Sequence, residues 1–141
     1  MGNMIPKTEN ALVLRTDFSD PAAWEKICAA IRKPAGFFRF RANVEFLEDR
    51  AYESISIESL LKLIPDRYNH DFICLVDQDA VRLPEHPILI VDLYQKSGRY
   101  FRAVPGEIQG IENNLSIANM DFEEFSGAVD EDGVFRGFPE G

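Results

Sequence analysis

Phe72-Ile73-Cys74-Leu75-Val76 and Ile88-Leu89-Ile90-Val91 are two apolar runs, and the connection between them decides the fold. It reads Asp77-Gln78-Asp79-Ala80-Val81-Arg82-Leu83-Pro84-Glu85-His86-Pro87. Short apolar runs bounded by turn formers read as strands buried on both faces. Two prolines and no apolar period in the connection predict a loop. A short, non-helical connection returns the chain antiparallel. The strands at 72–76 and 88–93 are therefore expected to pair antiparallel.

Upstream, helices link the strands. Leu12, Val13 and Leu14 mark a first strand within 11–18. Asp20-Pro21 is a helix cap followed by a first-turn proline. Trp24, Ile27, Cys28 and Ile31 then recur at i, i+3, i+4, i+7, one helical face that stops at Pro34 and Gly36. Residues 38–46 alternate strictly, Phe38, Phe40, Ala42, Val44 and Phe46 against Arg39, Arg41, Asn43 and Glu45, which predicts a second strand. Ser56 caps a second helix with Ile57, Leu60, Leu61 and Ile64 on its face, stopped by Pro65. Helical crossovers make the first three strands parallel and right-handed.

Downstream, Lys96-Ser97-Gly98 is a turn into a fifth strand at 100–104. Pro105 opens a third helix with Ile108, Ile111 and Leu115 on one side. Asp121 and Glu124 have the spacing of a capping box, starting a short helix with Phe122, Phe125 and Val129 inward and Gly133 at its end. Val134-Phe135-Arg136-Gly137-Phe138 is apolar enough to dock on the domain. The order βαβαβββαα gives an α/β fold, with α+β as the alternative class. It predicts a mixed five-stranded sheet in the order 2-1-3-4-5, helices on at least one face, and one domain over 1–141 with a loose arm at 1–10.

Composition narrows the function. The 141 residues are 45% hydrophobic and 28% charged, an ordinary globular balance, and eleven Phe supply a core without staples. The net charge is −9, and residues 106–141 account for −8 of it with nine acids against Arg136. Nucleic acid is excluded as a partner, because phosphate neutralisation needs a clustered basic surface. A basic protein partner is compatible. No apolar leader or membrane span is visible, and Cys28 and Cys74 fall in apolar periodic segments as buried, reduced thiols. The expected setting is cytoplasmic and soluble, with no membrane partner.

Candidate chemistry is sparse. Asp17, Asp77 and Asp92 each follow an apolar run, and ligands in open α/β sheets gather beyond the carboxyl ends of parallel strands. Converging carboxylates there could hold Mg²⁺ or do acid–base work, though an antiparallel fourth strand sends Asp92 to the opposite end from Asp17 and Asp77. His86, between Pro84 and Pro87, is a candidate for substrate contact, and His70 less so. Neither lies at zinc-ligand spacing, so no metal site and no cofactor are expected. Nucleophile elbows and Gly-rich phosphate loops are missing. Arg39 and Arg41, with Arg15 on the neighbouring strand, could bind an anion or pair with Glu45 or the C-terminal acids. The polar stretch 112–122 reads first as helix-terminal caps, with Asn and Ser ending one helix and Asp121 starting the next, and alternatively offers Asn113, Asn114 and Asn119 as pocket-lining groups, joined by Asp121 and Glu124.

The string Glu112-Asn113-Asn114-Leu115-Ser116-Ile117-Ala118-Asn119-Met120-Asp121-Phe122-Glu123-Glu124-Phe125 is distinctive. Together with Leu14-Arg15-Thr16-Asp17-Phe18, Glu85-His86-Pro87, Val91-Asp92-Leu93-Tyr94 and residues 132–138, it resembles a family of short, uncharacterised bacterial proteins catalogued as a domain of unknown function. The resemblance runs from about Ala11 to Phe138. It implies a stand-alone bacterial protein and no particular reaction, cofactor or site.

The reading that follows first is a small binding or interaction module whose acidic C-terminal face meets a protein partner. Its rival is a small enzyme or divalent-metal binder using the strand-end carboxylates. A third reading is a homodimer built on an apolar patch, expected if one sheet face lacks helices.

Overall fold

A computed structural model describes residues 3–34 and 41–138. Its centre is a mixed six-stranded sheet in the order β2-β1-β3-β4-β5-β6. The strands are β1 (Ala11–Arg15), β2 (Val44–Glu48), β3 (Phe72–Val76), β4 (Ile88–Asp92), β5 (Tyr100–Ala103) and β6 (Val134–Phe135). β1 pairs parallel with β2 and β3, as helical crossovers require. β3 to β4 and β4 to β5 run antiparallel, so the expected order and directions hold for the first five strands.

The helices are α1 (Pro21–Arg32), α2 (Ile57–Lys62), α3 (Gln78–Arg82), α4 (Ile108–Ser116) and α5 (Phe122–Ser126). Asp20 caps α1 by accepting from the Ala23 amide, and Ser56 caps α2 by accepting from the Ser59 amide. Asp121 and Glu124 form the capping box of α5. Period two in the strands places alternate residues on two apolar layers. Val13, Cys74, Ile90 and Phe101 face α1, α4 and α5, while Leu14, Ile73, Leu75 and Val91 face α2 and Ile5. Both faces are thus covered, and the uncovered apolar face that motivated a homodimer is not found among the described residues.

Five expectations need correction. The connection at 78–87 is not wholly a loop: Asp77 accepts from the Ala80 amide and starts α3, which buries Ala80 and Val81. The tail does more than dock, because Val134–Phe135 adds a sixth strand parallel to β5. α5 ends at Ser126 with Gly127 as its cap, and Gly133 instead takes φ +80 in the turn before β6. The arm is not loose at its inner end. Ile5 is buried, its amide donates to the Leu63 carbonyl, and the Tyr52 hydroxyl donates to the Met4 carbonyl. The second strand begins only at Val44, while Phe38, Arg39 and Phe40 lie outside the described residues.

Candidate functional site

The sheet has two ends where polar side chains gather. At the first, the chain leaves β1 and β3, and both the Thr16 and Asp17 amides donate to the Val76 carbonyl. This brings Asp17 and Asp77 to one edge, as the parallel pairing dictates. They border a shallow cavity of about 310 Å³ with Thr16, Ser54 and Asp79. Asp17 Oδ1 accepts from the Ser19 amide at 2.9 Å and the Ser19 hydroxyl at 2.5 Å. Burial works to raise its pKa, but these bonds and the charges of Arg82 and Arg15 hold it below the ordinary value.

Asp77 is held through both carboxylate oxygens. Oδ1 accepts from the Ala80 amide and from Arg102 Nη1 at 2.9 Å, and Oδ2 accepts from Arg102 Nη2 at 2.7 Å. Arg102 also donates to the Pro87 carbonyl at 3.0 Å. The paired carboxylate raises the guanidinium pKa against its burial. His86 does not line this cavity. It takes φ +51, and its Nδ1–H donates to the Ala80 carbonyl at 2.8 Å, folding the 83–87 turn onto α3. Among the described residues no three His, Cys, Asp or Glu side chains are grouped to hold a metal ion.

At the opposite end, β4 finishes beside the start of β3, with Asp92 opposite Phe72. Asp92 is only 2% exposed. It accepts from the Tyr94 amide, the Ser97 hydroxyl, and Nε and Nη2 of Arg99. Arg99 reaches on to Glu123 in the first turn of α5. The arginine holds the Glu123 carboxyl below its usual pKa.

The polar string 112–124 wraps this end and separates two cavities. One, of about 390 Å³, is lined by Tyr94, Arg99, Asn119, Met120, Asp121 and Glu124 among others. The other, of about 370 Å³, lies along α4 and is lined by Glu9, Asn43, His70, Glu112, Asn113 and Ser116 among others. Asp71 and Leu115 border both. Of the expected binding residues, Asn119, Asp121 and Glu124 meet at the first cavity and Asn113 at the second. Asn114 lines neither. Its Nδ2 donates to the Gly110 carbonyl, its Oδ1 accepts from Asn119, and its carbonyl accepts from the Asn119 and Met120 amides. It closes the C-terminus of α4, which lets Ala118 take φ +55.

Among the described residues, the remaining candidates line none of these cavities. Burial pushes the Cys28 thiol up to about 11 and the Cys74 thiol up to about 12, so neither is a poised nucleophile. Arg15 pairs with Glu48, its register partner on β2, rather than with Glu45, and stacks over Phe18. Arg41 is exposed with no ion pair among the described residues, and Arg39 lies outside them. Arg99, Arg102 and the burial of Glu112 escape sequence reading, because their partners lie on other elements.

A six-stranded mixed α/β domain with polar cavities at the ends of its sheet defines a class, not a reaction. The chain belongs to the family described as a domain of unknown function, DUF6924, whose model matches residues 10–138. No curated protein matches the chain. Among the described residues no helix is long and apolar enough to cross a membrane.

Proposed function

We propose that the domain is a binding module that meets a basic protein partner through the acidic surface of its C-terminal segment. The observation that carries this reading is the placement of charge around α5. Asp121, Glu123 and Glu124 open the helix, and Asp130, Glu131 and Asp132 follow its end, all exposed. These exposed carboxylates all fall within residues 121–132, and in this reading they act together as one negative surface. Arg99 holds Glu123, and Arg136 holds Asp130 and Asp132. Asp121, Glu124 and Glu131 carry no ion pair among the described residues. Uncompensated charge of one sign steers an oppositely charged partner and sets its orientation.

The test uses a short oligo-arginine peptide as probe. The substitutions Asp121→Asn, Glu124→Gln and Glu131→Gln remove three charges while leaving the capping groups in place. Combined, they should weaken binding roughly tenfold at low salt and flatten its salt dependence. Neutralising the exposed Glu25, Glu58 and Asp66 in the same way should have a much smaller effect. Equal loss from both sets would show charge without a site and overturn the reading. The rival metal or acid–base reading needs Asp77 released from Arg102, and no observation favours that.

A further inference from the structure

The cavity along α4 has a chemistry of its own. Its lining contains three carboxylates, Glu9, Asp71 and Glu112, and, among the described residues, no lysine or arginine. Glu112 is 4% exposed, although buried charges are ordinarily paired with a cation. Its Oε1 accepts from the Asn43 amide at 2.7 Å and its Oε2 from the Ser116 hydroxyl at 2.8 Å. Both donors are neutral. A carboxylate offers about four lone-pair sites, so roughly half its acceptor capacity remains. Among the described residues no cation pairs with it, and its charge adds to burial in raising the pKa of Cys74 beneath it. His70, on the same wall, is engaged through Nε2 with the Thr8 carbonyl at 2.8 Å.

From this geometry we propose that the cavity receives an arginine side chain of the basic partner, with Glu112 as the buried counter-charge and Asp71 and Asn113 at its mouth. This deepens the reading above and rests on it for the identity of the ligand's bearer. Arginine fits better than lysine on the chemistry of the wall. Carboxylate and amide oxygens on several sides ask for more donors than one ammonium presents, and the guanidinium carries five in a planar fork. Asp71 borders both cavities, so a peptide anchored here continues towards the acidic end of α5.

The experiment titrates the full chain with N-acetyl-arginine methylamide, and separately with the lysine analogue, at constant ionic strength. It follows backbone amide shifts by NMR. The arginine probe should move the amides of Asn43, Asn113, Ser116 and Ile117 in a saturable way. Glu112→Gln should weaken it roughly tenfold, the loss expected for one charge-assisted contact. Gln keeps an acceptor for the Asn43 amide, so the fold should survive. Asp71→Asn, at an exposed position, is the second variant and should weaken the probe without touching the core. Equal shifts for lysine would overturn the arginine assignment, and no saturable shift at these amides would overturn the cavity as a site. Oligo-arginine binding that ignores Glu112→Gln but falls with the α5 charges would sink this inference and leave the acidic-surface reading standing. The reverse pattern would leave the cavity and remove the surface.

Discussion

Arg102 satisfies three acceptors with one guanidinium: both oxygens of Asp77 and the Pro87 carbonyl. It sits on β5 opposite Leu89, so it joins the loop after β3 to the loop before β4. Hydrogen bonds to charged groups contribute about 1.5–3 kcal/mol, and a stranded carboxylate adds its own penalty. Arg102→Met should therefore lower stability by about 2 kcal/mol, measured by urea unfolding. It should lose much less when Asp77→Asn is already present, because the two act as a pair. Glu107 poses the opposite case. Burial holds its carboxyl above the usual pKa, and it has no ion pair among the described residues. Its Oε1 lies 2.9 Å from where a Cβ on Gly137 would sit, at a backbone φ of +111, so the position is closed to other residues. A raised folded pKa means the group favours folding below its unfolded pKa and loses that advantage as pH rises through the folded one. Glu107→Gln should raise the melting temperature at pH 7 and leave it unchanged near pH 4, where the native carboxyl is largely protonated. An equal gain at both pH values would assign the effect to packing instead.

The C-terminal elements show how a two-residue strand can matter. β6 contributes Val134 and Phe135, both buried, and Phe135 meets Phe125 at 5.4 Å and Phe138 at 5.0 Å between ring centroids. Phe101 of β5 packs edge-on to Phe122 at 5.1 Å. These rings hold α5, and with it the acidic surface, against the sheet. Phe135→Ala should cost about 3–5 kcal/mol, the range for a large buried aromatic. It should also weaken oligo-arginine binding, measured beside its unfolding curve; unchanged binding would mean that α5 docks without β6. At this scale the sequence is unevenly legible. The antiparallel return of β4 is expected from a short, proline-containing connection, even though that connection holds α3, and the Asp121–Glu124 box from its i, i+3 spacing, because both signals are local. α3 escapes because five residues bury only Ala80 and Val81, too few to show a period. β6 escapes because two residues cannot alternate visibly, and only pairing with Arg102 and Ala103 makes them a strand. The strand-end acids are placed correctly, with Asp17 and Asp77 together and Asp92 opposite. Their engagement is hidden, since Arg102 lies 25 residues from Asp77 and Arg99 reaches Glu123 across 24.

Charge is also what ties the last quarter of the chain to the rest. Arg136 is the single base after residue 105. It pairs with Glu85 at 2.7 Å in the α3–β4 loop, and with Asp130 at 2.8 Å and Asp132 at 2.6 Å in the turn before β6. Three carboxylates on one cation leave a local excess of negative charge, so the clamp adds to the acidic surface while pinning it. The arginine holds Glu85 and Asp132 below their ordinary pKa values. A depressed folded pKa favours the native state above the unfolded value, and that contribution disappears as pH falls through the folded one. The window is therefore below the ordinary carboxyl values of 4.5 for Glu85 and 3.8 for Asp132. These groups are at the surface, so salt should weaken the effect. Arg136→Gln should be less stable than the parent at pH 7 in low salt. The two proteins should converge as pH falls through the lowered folded values, where both carboxyls become protonated in either state. Adding salt at pH 7 should narrow the same gap. Thermal unfolding across pH 2.5–7 at two ionic strengths reads both trends. A constant difference at every pH would mean that Arg136 supports β6 through the packing of its stem, and the C-terminal segment would then be held by its phenylalanines alone.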